Sequence, residues 1–195
     1  MDHLASLLTV NRDNAPDPLE LCLPLDRSLD EAWCKQTAGS ILGNRQWARR
    51  PATPELAPLL PDKAGLYMFV WKCRFPMPLE DDKDYRFRYV LYVGKAGEAG
   101  GASTLRRRYE SGYSRIIGKS PESIWKRDAR SRNELLDRFL NLKDLEYWFT
   151  ECGNIEHLEF HEATLIKVFN PPGNTHFFKS SNSLRGKLKT AIPAF

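Results

Sequence analysis

Apolar residues recur along this chain with two different periods, and the switches between them predict its elements. From Gly65 to Cys73 the run Gly-Leu-Tyr-Met-Phe-Val-Trp-Lys-Cys is aromatic and β-branched and is bounded by Gly65 and Pro76, which predicts a strand. Alternation sets Tyr67, Phe69 and Trp71 on one of its faces. A second run, Phe87 to Gly94, predicts another strand, and Leu145 to Thr150 a third. The charged stretch from Glu80 to Asp84 separates the first two, so they form an antiparallel hairpin with a long loop whose tip is expected to be mobile.

Helical spacing and start signals account for most of the remainder. Ser28-Leu29-Asp30-Glu31 reads as a capping box and predicts a helix over about 29–38. Ser103 or Thr104 caps a short helix through Glu110 that Gly112 ends. Ser120-Pro121-Glu122 starts another, Asn133-Glu134 a third, and Asn154 caps a last one that stops before Pro171. Residues 1–25 show no sustained period and read as an arm, while Pro51, Pro54, Pro58 and Pro61 mark a linker. The order β-β-α-α-(α)-β-α predicts an α/β (α+β) fold with a small mixed or antiparallel three-stranded sheet flanked by helices. The expected division is 1–62 as arm, short helix and linker, 63–174 as the folded domain, and 175–195 as a basic tail.

Composition narrows this picture without changing it. At 195 residues, 42% hydrophobic and 28% charged, the chain has the size of one globular domain. No apolar run approaches the roughly 20 residues that span a bilayer, and no leader pattern opens the chain, so a cytoplasmic location without membrane contact is expected. Cys22, Cys34, Cys73 and Cys152 form no CxxC pair and are expected as reduced core thiols. Charge is polarised: residues 1–62 carry −3, 63–94 +2, 95–132 +6, 133–169 −5 and 170–195 +4. A basic middle and tail suit a polyanion partner, and equally a solvated basic surface.

Three groups of residues carry potential chemistry. In the last helix Ile155, Leu158, Leu165, Ile166 and Phe169 form an apolar stripe with Glu162 inside it, where a carboxylate needs an ion pair, a hydrogen bond or a cation; a salt bridge to a core arginine is one such solution. In Leu105-Arg106-Arg107-Arg108-Tyr109 the apolar pair marks the inward face and Arg108 borders it, while Arg106 and Arg107 face solvent or phosphate. Tyr67 and Tyr92 lie on neighbouring strands, where tyrosines ordinarily serve as core aromatics.

Gly65-Leu66-Tyr67, Tyr92-Val93-Gly94-Lys95, Leu105-x-x-Arg108 and Glu162, followed twelve residues on by Asn174, occur in that order on those elements, and the chain from about Pro61 to Asn174 resembles the GIY-YIG nuclease family. The resemblance implies a metal-dependent endonuclease that hydrolyses DNA phosphodiester bonds. Glu162 would ligate Mg2+ or Mn2+, Tyr67 and Tyr92 would activate or orient the attacking water, and Arg108 would stabilise the phosphate. Lys95 would assist beside the tyrosines and Asn174 would brace the site. A hard cation wants carboxylate oxygen, and a charge-gathering phosphorane-like state wants cations. Lys95 is expected to supply the positive charge that a tyrosine of pKa near 10 needs to act as a base.

The chain departs from the family pattern in a longer path from Tyr67 to Tyr92 and in the insertion Ala96 to Ala102. The position one turn after Arg108 is Gly112, with Tyr113 beside it as a substitute. Double-stranded DNA is the expected partner, contacted through Arg106, Arg107, Tyr113, Arg115 and Lys119, and in the tail through Lys179, Arg185 and Lys187. His157 and His161 read as surface or supporting histidines. Restriction or defence use is favoured, with repair or structure-specific cleavage, or binding without turnover, as alternatives. A homodimer or transient pairing on DNA would supply a second cut.

Overall fold

The computed structural model describes residues 29–37, 39, 41, 45–78, 80, 84–98, 101–120, 124 and 131–174. Its elements are α1 (Glu31–Thr37), β1 (Ala48–Pro51), a 3-10 helix (Pro54–Leu59), β2 (Gly65–Lys72), β3 (Met77–Pro78), β4 (Asp84–Tyr85), β5 (Arg88–Ala96), α2 (Leu105–Gly112), α3 (Arg132–Leu140), β6 (Leu145–Glu151), a 3-10 turn (Ile155–His157) and α4 (Leu158–Phe169). The architecture is α+β. The main sheet is antiparallel, ordered β1-β6-β2-β5, with β6 and β2 central.

The sheet therefore has four strands where three were expected. The fourth is Ala-Arg-Arg-Pro, too short and too polar to show alternation, which pairs with β6 from Ala48 opposite Phe149 to Pro51 opposite Glu146. It is an edge strand, where a proline's missing N–H is tolerated. The proline-rich stretch after it is no passive linker: Pro54 opens the 3-10 helix, and Leu56, Ala57 and Leu60 are buried. In the expected hairpin of β2 and β5, the connection carries its own two-stranded ribbon, Met77–Pro78 against Asp84–Tyr85, while its tip at 81–83 lies outside the described residues.

Local chemistry explains the helix starts. The Thr104 hydroxyl accepts from the Arg107 amide at 3.3 Å and opens α2. Ser131 and Glu134 form a reciprocal capping box on α3, two residues ahead of the predicted Asn133. In α1 the Asp30 carboxylate accepts from the Trp33 amide at 2.9 Å, while Ser28 lies outside the described residues. Asn154 caps the 3-10 turn that leads into α4, and Asn170, in the left-handed conformation with φ 42°, ends α4 before Pro171. Of the helix predicted from Ser120-Pro121-Glu122, Pro121 and Glu122 lie outside the described residues, as does most of the chain up to residue 130.

Two cores lie on opposite faces of the sheet. One gathers Tyr67, Phe69, Tyr92, Leu105, Tyr109, Tyr113 and Tyr147 under α2, α3 and the 3-10 helix, with Trp71 packed at its margin as alternation predicted. The other gathers Leu66, Met68, Val70, Val93 and Ile41 with Leu158 and Leu165 of α4. Among the described cysteines only Cys152 is buried; Cys34 and Cys73 are half-buried, and Cys22 lies outside the described residues.

Candidate active site

Strand register builds the tyrosine cluster. Tyr67 on β2 sits opposite Gly94 on β5, and a Cβ at Gly94 would collide with the Tyr67 ring and hydroxyl. Glycine is needed there for close approach, not for backbone freedom. A bulge then shifts the register so that Phe69 faces Tyr92 and Val70 faces Val90, which brings Leu91 and Tyr92 into the same core. The Tyr67 and Tyr92 rings lie 6.3 Å apart, and Tyr147 stacks on Tyr67 at 5.4 Å.

The Tyr67 hydroxyl is 2.6 Å from that of Tyr113, and Arg108 Nε donates to it at 3.3 Å. The Arg108 guanidinium also stands 5.9 Å from the centre of the Tyr113 ring. Burial pushes the Tyr67 and Tyr113 phenols well above their ordinary range, neighbouring phenols add to the rise, and Arg108 only partly opposes it. The shift favours the neutral phenols, which here are hydrogen-bonded to each other and, at Tyr67, to Arg108. Tyr113 is buried, its hydroxyl turned to Tyr67, so it stands in the tyrosine cluster and not on the outer surface.

The three arginines of α2 part as the helix register requires. Leu105 and Tyr109 are fully buried, Arg108 reaches the tyrosines, and Arg107 is exposed, donating to the Ala102 carbonyl at 3.2 Å. Arg106 differs from expectation: it is half-buried, and its Nε donates to the Leu60 carbonyl at 2.9 Å, which ties α2 to the chain after the 3-10 helix. Arg115 and Lys119 are exposed. Lys179, Arg185 and Lys187 lie outside the described residues.

On α4 the buried line is Leu158, His161 and Leu165, with half-buried Glu162 at its flank. The expected stripe holds in four members: Leu158 and Leu165 are buried and Ile166 and Phe169 pack against the same cluster, while Ile155 belongs to the 3-10 turn and is exposed; His161 is buried beside them. His157 is exposed. Burial, reinforced by the Arg45 charge and by His157, pushes the His161 imidazole below its ordinary value and so favours its neutral form.

Burial pushes the Glu162 carboxyl up, and the Glu159 charge adds to the rise; the charge and backbone N–H of Lys95 and the charge of Arg108 oppose it. No Glu162–arginine ion pair forms among the described residues. Lys95 Nζ lies 3.8 Å from Glu159 Oε2, so the cation at the tyrosine hydroxyls is Arg108 and the lysine belongs to the carboxylate end.

Asn174 meets β5 between the two ends. Its Oδ1 accepts from the Val93 amide at 2.7 Å and its Nδ2 donates to the Val93 carbonyl at 2.8 Å, next to Tyr92 and Gly94. Sequence reasoning missed Arg132, whose Nε donates to the Gly173 carbonyl at 2.9 Å and whose guanidinium stands 5.8 Å from the centre of the Tyr92 ring. Its place beside a capping box in a basic segment gave no signal of that contact.

No group of three or more His, Cys, Asp or Glu side chains suited to a metal occurs among the described residues. The donor set does fit a hard divalent ion held by one carboxylate, because Mg2+ retains water and phosphate oxygens as its other ligands. A half-buried carboxyl raised by burial is also one that a nearby cation would relieve. No helix among the described residues is long and apolar enough to cross a membrane. Comparison with protein-family models, with characterised proteins and with solved structures gave no match to this chain.

Proposed function

We propose that this chain is a GIY-YIG-type endonuclease that hydrolyses DNA phosphodiester bonds with the help of Mg2+ or Mn2+. The observation that carries the reading is the junction of Arg108 with the Tyr67 hydroxyl, beside Tyr92 on a strand that Asn174 braces. Glu162 would hold the ion, which when bound supplies Lewis-acid polarisation of a phosphate oxygen. Arg108, fixed by Tyr67 and open to solvent along its outer side, offsets charge gathering on the scissile phosphate. The neutral Tyr67–Tyr113 pair holds that guanidinium in place, and Lys95, whose backbone N–H and charge act on the Glu162 carboxyl of α4, lies on the same β5 strand as Tyr92. Basic residues of the middle and tail bind the DNA backbone, and paired copies on DNA supply a double-strand cut.

The test is incubation of plasmid and single-stranded DNA with Mg2+ or Mn2+, with Glu162→Ala as control. Cleavage that the variant abolishes is expected; no cleavage over a broad substrate panel, or equal cleavage by the variant, overturns the reading. A map of cleavage ends then separates restriction or defence use, with fixed positions, from repair, with structure-linked positions. Binding without turnover is the second reading, favoured by the charge polarisation and by the complete burial of Tyr67. Calorimetric Mn2+ binding through Glu162 without any cleavage would select it.

A further inference from the structure

Arg45 precedes the region that resembles the nuclease, yet it touches both ends of the unit that carries Glu162. Its Nη1 donates to Cys152 Sγ at 3.0 Å, and its Nη2 lies 3.0 Å from His161 Nδ1. A guanidinium has only donors, so Nδ1 is the acceptor and the imidazole proton sits on Nε2. Cys152 immediately follows β6; its amide donates to the Ala64 carbonyl at the entry to β2, and its thiol donates to the Asn154 carbonyl just before the turn into α4. His161 and Cys152 are 9% and 7% exposed, and Ile41, four residues before Arg45, is fully buried in the cluster that holds Leu158 and Leu165.

Consecutive residues on a helix point about 100° apart, so whatever fixes the direction of His161 fixes that of Glu162. Apolar packing under α4 is non-directional and leaves rotation about the helix axis weakly specified. A forked, charge-assisted tie specifies it.

We propose that Arg45 is a positioning residue for Glu162: by bridging Cys152 and His161 it locks the rotation of α4 and so holds Glu162 toward the Lys95 end of β5. The proposal rests on the reading of Glu162 as the ion-holding carboxylate. It makes Arg45 and the strand β1 that follows it a working part of the site, which a unit cut at residue 63 would lose.

The experiment titrates Mn2+ by calorimetry into the metal-free full chain and measures single-turnover DNA cleavage. Arg45→Ala is expected to weaken Mn2+ binding by about 10-fold or more, the usual effect of removing a residue that orients a metal ligand. Cleavage should slow at saturating DNA with little change in the DNA concentration needed. Arg45→Lys keeps the charge without the fork and should fall between. His161→Gln keeps an acceptor and should behave like the wild type, whereas His161→Leu should reproduce Arg45→Ala. If Arg45→Ala does not fold, the His161 pair decides. Wild-type Mn2+ affinity in folded Arg45→Ala or in His161→Leu, equal losses in the Gln and Leu variants, or an effect confined to DNA affinity would overturn the proposal. A wild type that neither binds Mn2+ nor cuts overturns the nuclease reading itself, and the proposal with it.

Discussion

The two faces of the sheet are packed on different principles. One is lined by phenols: Tyr67, Tyr109, Tyr113 and Tyr147 are all buried, and a hydroxyl pair and an arginine lie at the edge of that layer. The other is aliphatic, with Leu66, Met68, Val70 and Val93 against Leu158 and Leu165 of α4. Aromatic rings with polar tips set directions by hydrogen bonds, whereas aliphatic side chains supply adhesion and little direction. The phenolic face therefore orients Arg108 by itself, while the aliphatic face carries Glu162 on a helix that needs a separate polar tie.

The strongest way to break this contrast is to hollow the aliphatic face. Leu165→Ala, at a fully buried position, should cost about 2–5 kcal/mol by urea unfolding. A cost within 1 kcal/mol would mean that α4 is only loosely docked. Next comes Arg108→Ala, which should lower single-turnover cleavage roughly 10²-fold at saturating protein, the scale of losing one preorganised charge-stabilising donor. Arg107→Ala should instead recover at saturation or low salt. The reverse pattern would mean that the tyrosines do not aim the arginine.

Two phenol deletions sharpen the comparison within one face. Tyr113→Phe loses a hydrogen bond to Tyr67 and should cost about 1 kcal/mol. The Tyr147 hydroxyl is buried and makes no hydrogen bond among the described residues, so Tyr147→Phe should be neutral or stabilising by about the same amount. Equal losses would show that Tyr147 takes part in the polar layer.

The smallest effect is a stability gain. Burial holds the Glu162 carboxyl above its ordinary value, so the unfolded chain ionises first and the folded state loses ground as pH rises from the ordinary carboxylate range through the raised value. Glu162→Gln removes that loss while abolishing cleavage. Thermal melts should show a higher Tm for the variant than for the wild type at neutral pH. The gain should fade below about pH 4 and shrink on adding Mg2+. A difference independent of pH would rule out this origin.

What was legible in the sequence follows from how local each determinant is. Alternation in Gly65 to Cys73 was enough to set Tyr67 and Phe69 on one face, and the Leu105/Tyr109 pair fixed the arginine register, because both patterns lie within one element. The place of His161 on α4 was harder: a 3.6-residue period through Leu158 and Leu165 admits either 161 or 162, and the Arg45 contact that engages His161 comes from far away in the chain. β1 had no pattern to read, since its four residues become a strand only by pairing with β6. Arg45 was silent for the same reason, its partners standing 107 and 116 residues away.

Asn174 has a consequence outside chemistry. β5 is an edge strand, and an open edge invites another chain to extend the ladder and seed aggregates. The Gly173 amide bonds the Leu91 carbonyl at 2.8 Å, and the Asn174 side chain occupies both backbone groups of Val93, so two residues stand in for a neighbouring strand along that stretch. The side-chain amide can do this because, like a peptide group, it offers one donor and one acceptor side by side, a pairing that aspartate at neutral pH lacks. The residue that hydrogen-bonds Val93 thus also shields that stretch of the β5 edge from strand addition.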